Sequence, residues 1–193
     1  MATYKGIQGY TVQKLSSDPT ASEAAGQLWY NSTTGKFKVG TAGAGAWAAG
    51  NNMNTARSVL GSSGSQTAAL AYGGDTGGAS YQTATESFDG TDWATSPATL
   101  NSGRADLGGF GTSTATIAAG GTPGPQAETE SFDGSTWTEV ADLATGRFEF
   151  GMAQTPSMTN LSALCIGGDS GSYTNVVEAW SDPTYTNKTV TVS

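Results

Sequence analysis

The sequence predicts an all-β protein made largely from three copies of one four-stranded sheet, and three observations predict it. The first is a recurring order of residues: an arginine, an alternating apolar run closed by Gly-Gly, then a glutamate-bearing strand that ends in an aromatic residue and a tight turn. The Gly-Gly pairs Gly73-Gly74, Gly120-Gly121 and Gly167-Gly168 begin 47 residues apart each time. The second is phase, because all three arginines of the chain, Arg57, Arg104 and Arg147, open a copy. The third is composition: 28 glycines, 36% hydrophobic and 12% charged residues, with apolar residues in brief alternating runs between Gly, Ser, Thr and Asp turns. A period in the forties holding about four short strands is that of a β-propeller blade.

Residues 1–50 differ from the rest of the chain. They carry Lys5, Lys14, Lys36 and Lys38 and no arginine, and form a separate N-terminal segment. Within it, 27–31 and 36–39 alternate as strands around the turn 32–35, a β-hairpin with Trp29, Tyr30 and Phe37 available for cross-strand packing. A Gly/Ala linker then spans 41–51. Its single indole, Trp47, is expected to dock on a neighbouring sheet, as a bulky ring in a small-residue spacer usually does.

The repeat domain covers 51–193, with copies at about 54–97, 101–142 and 144–193. The first copy is expected to hold strands at 57–62, 66–72, 83–89 and 92–96, and the second at 104–110, 114–119, 127–133 and 136–140. The third should hold 147–153, 161–166, 174–180 and 187–192. In the second strand of the first copy, Leu70 and Tyr72 fall on one face and Ala69 and Ala71 on the other. Asp89-Gly90 and Asp133-Gly134 are turn dipeptides. Each copy places a glutamate on its third strand (Glu86, Glu130, Glu178), so a recurring Arg–Glu contact within or between sheets is expected, fixing their orientation. The alternative is a channel lined by the three arginines.

Charge and residue types narrow the chemistry. A net charge of −8, a pI near 4.2 and no basic cluster argue against binding nucleic acid through its phosphates. They argue equally against docking on an anionic membrane, and no run approaches membrane-spanning length. The chain has no histidine and one cysteine, so no Ser-His or Cys-His pair and no thiolate metal cage can form. Cys165 sits in an apolar run and reads as a buried, inert thiol. Asp75, Asp89, Asp92, Asp133 and Asp169 lie in Gly-rich turns without the spacing of a calcium loop, so turn chemistry is their expected use. No cofactor and no enzymatic activity are expected. Tyr81, Trp93 and Tyr173, near loops, are candidate ligand or partner contacts.

Arg57, Gly73-Gly74, Phe88-Asp89 and Trp93 resemble the kelch repeat, as do Arg104, Gly120-Gly121, Phe132-Asp133 and Trp137. The third copy keeps Arg147 and Gly167-Gly168, puts Trp180 at the Phe88 position and lacks the later tryptophan. The resemblance implies three four-stranded, kelch-like propeller blades. Three are too few to close a ring, so either the N-terminal hairpin completes a small fourth blade or chains associate as a dimer or trimer. The copper site of kelch-type oxidases would need histidines. Separately, GQLWYNSTTGKFKV is similar to the hairpin that opens many virion proteins of tailed bacteriophages. That resemblance implies a virion structural protein, a tail fibre, capsid decoration or adaptor subunit, attached by residues 1–50 through Trp29, Tyr30 and Phe37, with other virion proteins as partners. A carbohydrate- or host-receptor-binding module is the alternative.

Overall fold

The structure is a computed structural model and describes residues 12–24, 26–41, 45–154 and 162–182. Apart from one helical turn it is all-β, in four small sheets. The chain divides into two compact units, 1–49 and 50–193.

In the first unit, β1 (Gln13–Leu15) pairs in parallel with β2 (Leu28–Asn31), and β2 pairs antiparallel with β3 (Lys36–Val39). The expected hairpin is therefore the β2–β3 pair, with a third strand, Gln-Lys-Leu, too short to show alternation. Between β1 and β2 lies the four-residue helix α1 (Ala21–Ala24), at whose start the Glu23 carboxylate accepts from both the backbone N–H and the hydroxyl of Thr20. Asp18 ties the unit together. It accepts from Trp29 Nε1 at 3.1 Å and Asn31 Nδ2 at 2.7 Å, and pairs with Lys38. Those bonds, Lys38 foremost, hold its carboxyl down to about 2. Trp47 does not dock on a sheet: it stands fully exposed in a segment with no strand to offer it a surface.

The second unit holds three successive antiparallel meanders. The first is β4 (Gly61–Ser65), β5 (Ala68–Tyr72), β6 (Ala84–Phe88) and β7 (Trp93–Thr99). The second is β8 (Gly108–Thr112), β9 (Ala115–Ala119), β10 (Thr129–Phe132) and β11 (Trp137–Glu139). The third is β12 (Gly151–Gln154), β13 (Ser162–Ile166) and β14 (Val177–Ser181). The strand expected at 187–192 lies outside the described residues.

One expectation needs correcting. The opening strand of each sheet begins four residues after its arginine, not at it. Val59, Asp106 and Glu149, two residues past each arginine, take φ values of 48°, 51° and 52°. That left-handed backbone breaks the pleat, leaving only single bridges beside it: Ser58 with Asp75, Ala105 with Thr122 and Phe148 with Asp169.

Packing follows from the alternation. Leu70 and Tyr72 of the first sheet bury against Leu107, Phe132 and Trp137 of the second. The Tyr72 and Trp137 rings meet edge to face at 4.9 Å, and Trp137 Nε1 donates to Thr85 Oγ1 at 3.0 Å. Phe110 and Ile117 pack in turn on Ala163, Met152 and Trp180 of the third sheet. Trp137 and Trp93 hold the same repeat position, yet Trp137 is buried and Trp93 half-buried. Trp137→Ala should therefore cost about 3–5 kcal/mol. Trp93→Ala in the monomeric chain should cost less than half of that, as urea unfolding of the two variants would measure.

Candidate functional site

The residues that recur are the ones the fold brings together. Each arginine side chain is fully buried and grips its own sheet. Arg57 Nη1 donates to the carbonyls of Ala84 at 2.7 Å and Gly73 at 3.1 Å, and Nη2 to Glu86 Oε1 at 3.0 Å. Arg104 repeats this on Glu128 O at 2.6 Å, Gly120 O at 2.9 Å and Glu130 Oε1 at 2.6 Å. Arg147 does so on Val176 O at 3.0 Å, Gly167 O at 3.1 Å and the Glu178 carboxylate. Each glutamate's second oxygen accepts a backbone N–H from the residue three before the arginine: Asn54 at 2.7 Å, Asn101 at 2.9 Å and Ala144 at 2.6 Å. Burial pulls the Arg57 guanidinium below its usual value, with the Glu86 charge opposing. A guanidinium starts so high that it stays charged.

The ion pair thus lies within a sheet, and the arginine's main chain makes the link between sheets. Arg104 O accepts from Gly74 N at 2.7 Å, and Arg147 O from Gly121 N at 2.9 Å. The residues of positive φ join the same seam, with Asp106 N donating to Val59 O at 2.8 Å and Glu149 N to Asp106 O at 3.3 Å. Burial and the Asp75 charge push the Asp106 carboxyl up. Sequence reasoning missed this second set, because nothing in the types Val, Asp and Glu announces a left-handed backbone.

The first glycine of the first two pairs is required on two counts. Gly73 and Gly120 have φ near 60°, and a Cβ on either would lie 2.6 Å from the following arginine's carbonyl oxygen. The turn aspartates are consumed locally. Asp89 Oδ1 accepts from Thr91 N and Asp92 N, Asp133 Oδ1 from Ser135 N and Thr136 N, and Asp75 Oδ1 from Gly77 N and Ser80 N. Backbone donors, led by Thr136 N–H, hold the Asp133 carboxyl down to about 2.

Tyr81, Trp93 and Tyr173 do not form one site. Tyr81 and Tyr173 occupy matching loops, bridged to Asp75 and Asp169. Trp93 lies past the far end of β6, roughly 14 Å along the strand from its start, with its ring 5.2 Å from Phe88. In the first unit, Trp29 is buried and supports the hairpin, Tyr30 is half-buried, and Phe37 projects outward with Val39. Cys165 is buried, and desolvation pushes its thiol up to about 11. It borders a cavity of about 70 Å³ between the second and third sheets, beside Phe110, Ile117, Met152 and Trp180. That volume suits a few waters and not a substrate. Among the described residues, no three His, Cys, Asp or Glu side chains cluster to hold a metal ion, and no helix is long and apolar enough to cross a membrane.

No protein-family model matches the chain, and no curated protein matches it either. Among solved structures it is similar to YjhT, at 16% identity and a TM-score of 0.56, over 78% of this chain and 47% of that one. The chain thus spans about half the length of YjhT, and at this identity the likeness concerns fold alone.

Two outcomes are expected at this site. Arg104→Leu should cost about 3–5 kcal/mol by leaving Glu130 buried and unpaired. The double variant with Glu130→Leu should recover part of that loss, and strictly additive losses in chemical denaturation would separate the two residues. For Asp133, the folded carboxyl ionises below the unfolded value of about 3.9. Its stabilisation is therefore complete above about pH 5 and is lost as pH falls through about 2. The melting-temperature gap between the natural protein and Asp133→Asn should close over that window.

Proposed function

We propose that this chain is a structural subunit of a tailed-bacteriophage particle, of the fibre, decoration or adaptor kind. Residues 1–50 would attach it, and a kelch-like array of three propeller-type blades would be displayed. The observation that carries this reading is an apolar sheet face left uncovered among the described residues. The second sheet packs on the first by one face and on the third by the other, whereas Leu164 and Ile166 of the third, at the positions of the buried Ile117 and Ala119, are 41% and 43% exposed. A face of that kind is suited to assembly. The outward Phe37 and Val39 on β3 supply an apolar contact for the attachment segment, and the absence of histidine removes the commonest acid–base and metal chemistry.

One feature favours the second reading, a glycan- or receptor-binding module: Tyr173 is 91% exposed in a loop, as a stacking platform for a sugar would be. The two readings separate experimentally. Mass spectrometry of purified particles should find the chain in stoichiometric copy number, and Phe37→Asp should remove it from them while leaving its fold unchanged. Particles that lack the natural chain would overturn the structural reading. Glycan-array binding abolished by Tyr173→Ala would establish the second in its place, and turnover of an oligosaccharide by the purified protein would overturn both.

A further inference from the structure

We propose that the open face of the third sheet receives the first sheet of a second copy of this chain, reproducing between molecules the junction that the chain builds twice within itself. The proposal rests on reading the repeats as an unclosed array.

The receiving face is built for an occupant. Leu70 and Tyr72 are 1% and 0% exposed beneath the second sheet, and Ile117 and Ala119 are 1% and 3% exposed beneath the third. Their counterparts Leu164 and Ile166 are 41% and 43% exposed, with Val177 beside them at 53%. The glycine that opens each sheet sharpens the point. A Cβ on Gly61 would lie 2.4 Å from the Tyr72 ring and 3.1 Å from Leu107, and one on Gly108 would lie 2.4 Å from Phe150. Gly151 holds the same place, and its nearest neighbours among the described residues are atoms of Ile166 at 3.8 and 3.9 Å, ordinary van der Waals distances. Gly151 also lacks a positive φ, so no need for glycine arises among the described residues. The residue that fills this clearance lies three past the arginine, Leu107 and then Phe150. In an incoming copy it is Leu60.

The incoming face is built to match. Leu107, Phe132 and Trp137 are buried against the sheet before them, while Leu60, Phe88 and Trp93 at the same positions are half-buried. The Phe88–Trp93 rings already sit at 5.2 Å and 32°, against 5.0 Å and 32° for Phe132–Trp137. The backbone continues the pattern. Gly74 N and Gly121 N donate to the next arginine's carbonyl, and Gly168, with φ of 104°, is set to meet Arg57 O of the second copy. Two elements differ: Thr85, which accepts from Trp137 Nε1, is replaced by Val177, and Tyr72, whose ring meets Trp137 edge to face, by Ile166, so the incoming Trp93 gains apolar contact there and neither a hydrogen bond nor a ring contact. The junction is head-to-tail, closing into a ring or extending into a filament according to its rotation.

Native mass spectrometry of the full chain tests this. The expected result is an assembly of two or more chains of 19.5 kDa, reduced to single chains by Leu164→Asp. Gly151→Leu, which extends a side chain into open space and spares the fold by circular dichroism, should do the same. In a Cys165→Ala background, Val59→Cys chains mixed with Glu149→Cys chains should cross-link to each other with a short bismaleimide, and neither should cross-link alone. Cross-linking within one variant would show like faces pairing and overturn the proposal. A monomeric natural chain would overturn it too, and a Leu164→Asp variant of that monomer melting lower would assign the face to another segment of the same molecule. Particle incorporation is scored separately, so a monomer that still enters particles sinks this junction and leaves the assembly role standing.

Discussion

A guanidinium taken wholly out of water must have its charge balanced and its donors used, and the repeat domain is arranged around three such groups. Each arginine is buried completely, a state that is costly unless it is both paired and hydrogen-bonded. The glutamate on the third strand supplies the charge. The carbonyl of the first paired glycine, and one from the start of the third strand or just before it, accept from Nη1, while Nε of Arg57 and Arg104 stays buried without a hydrogen-bond partner. The glutamate then spends its second oxygen on the chain entering the sheet. Three separate stretches of each repeat, the entering chain, the end of the second strand and the third strand, are thereby fixed relative to one nitrogen-rich plane, and a planar fork allows little slack in doing so.

The same residue fixes the sheet before its own. With its side chain committed to its own sheet, the arginine's main chain is left to face the previous one, where it meets the second paired glycine. A side chain on the first glycine would collide with that carbonyl. The strict recurrence of Arg and Gly-Gly at a spacing of 47, 47 for the glycines is therefore one constraint seen from two sides. The spacing between arginines relaxes to 43 in the last interval because the loop from Gly120 to Glu130 is three residues shorter than that from Gly73 to Glu86, and the stretch from Trp137 to Arg147 one shorter than that from Trp93 to Arg104; the contact of the arginine carbonyl with the second paired glycine is kept.

Much of this was legible in the sequence. Strand order, the hairpin in residues 27–39, the turn aspartates, the buried cysteine and the Arg–Glu partners all follow from alternation, turn chemistry and a charge inventory small enough to read by phase. What was not legible has a physical cause in each case. The left-handed residues Val59, Asp106 and Glu149 carry no compositional mark, since a β-branched valine is among the least suited to that backbone, and the seam between sheets holds them there. Strand β1 is short and joins its neighbour in parallel, so neither alternation nor a turn signals it. Trp47 departs from expectation because bulk alone does not create a docking surface. Tyr81, Trp93 and Tyr173 share aromatic character and places near loops, but the strand between them decides whether they converge, and β6 holds Tyr81 and Trp93 apart.

Charge bears on how such a chain could recognise another. The three arginines are cancelled inside their own repeats, so they offer nothing to a partner, and the net charge of −8 rests on the other residues. Two copies approaching each other meet mutual repulsion at long range, reduced only by screening. Attraction must then come from what acts at contact: apolar area, and backbone donors and acceptors held at fixed spacing. Those are the terms that an internal repeat copies faithfully from one junction to the next. A face evolved to seat the next sheet of the same chain carries in its glycine clearance and apolar rows the specification for seating that sheet from another.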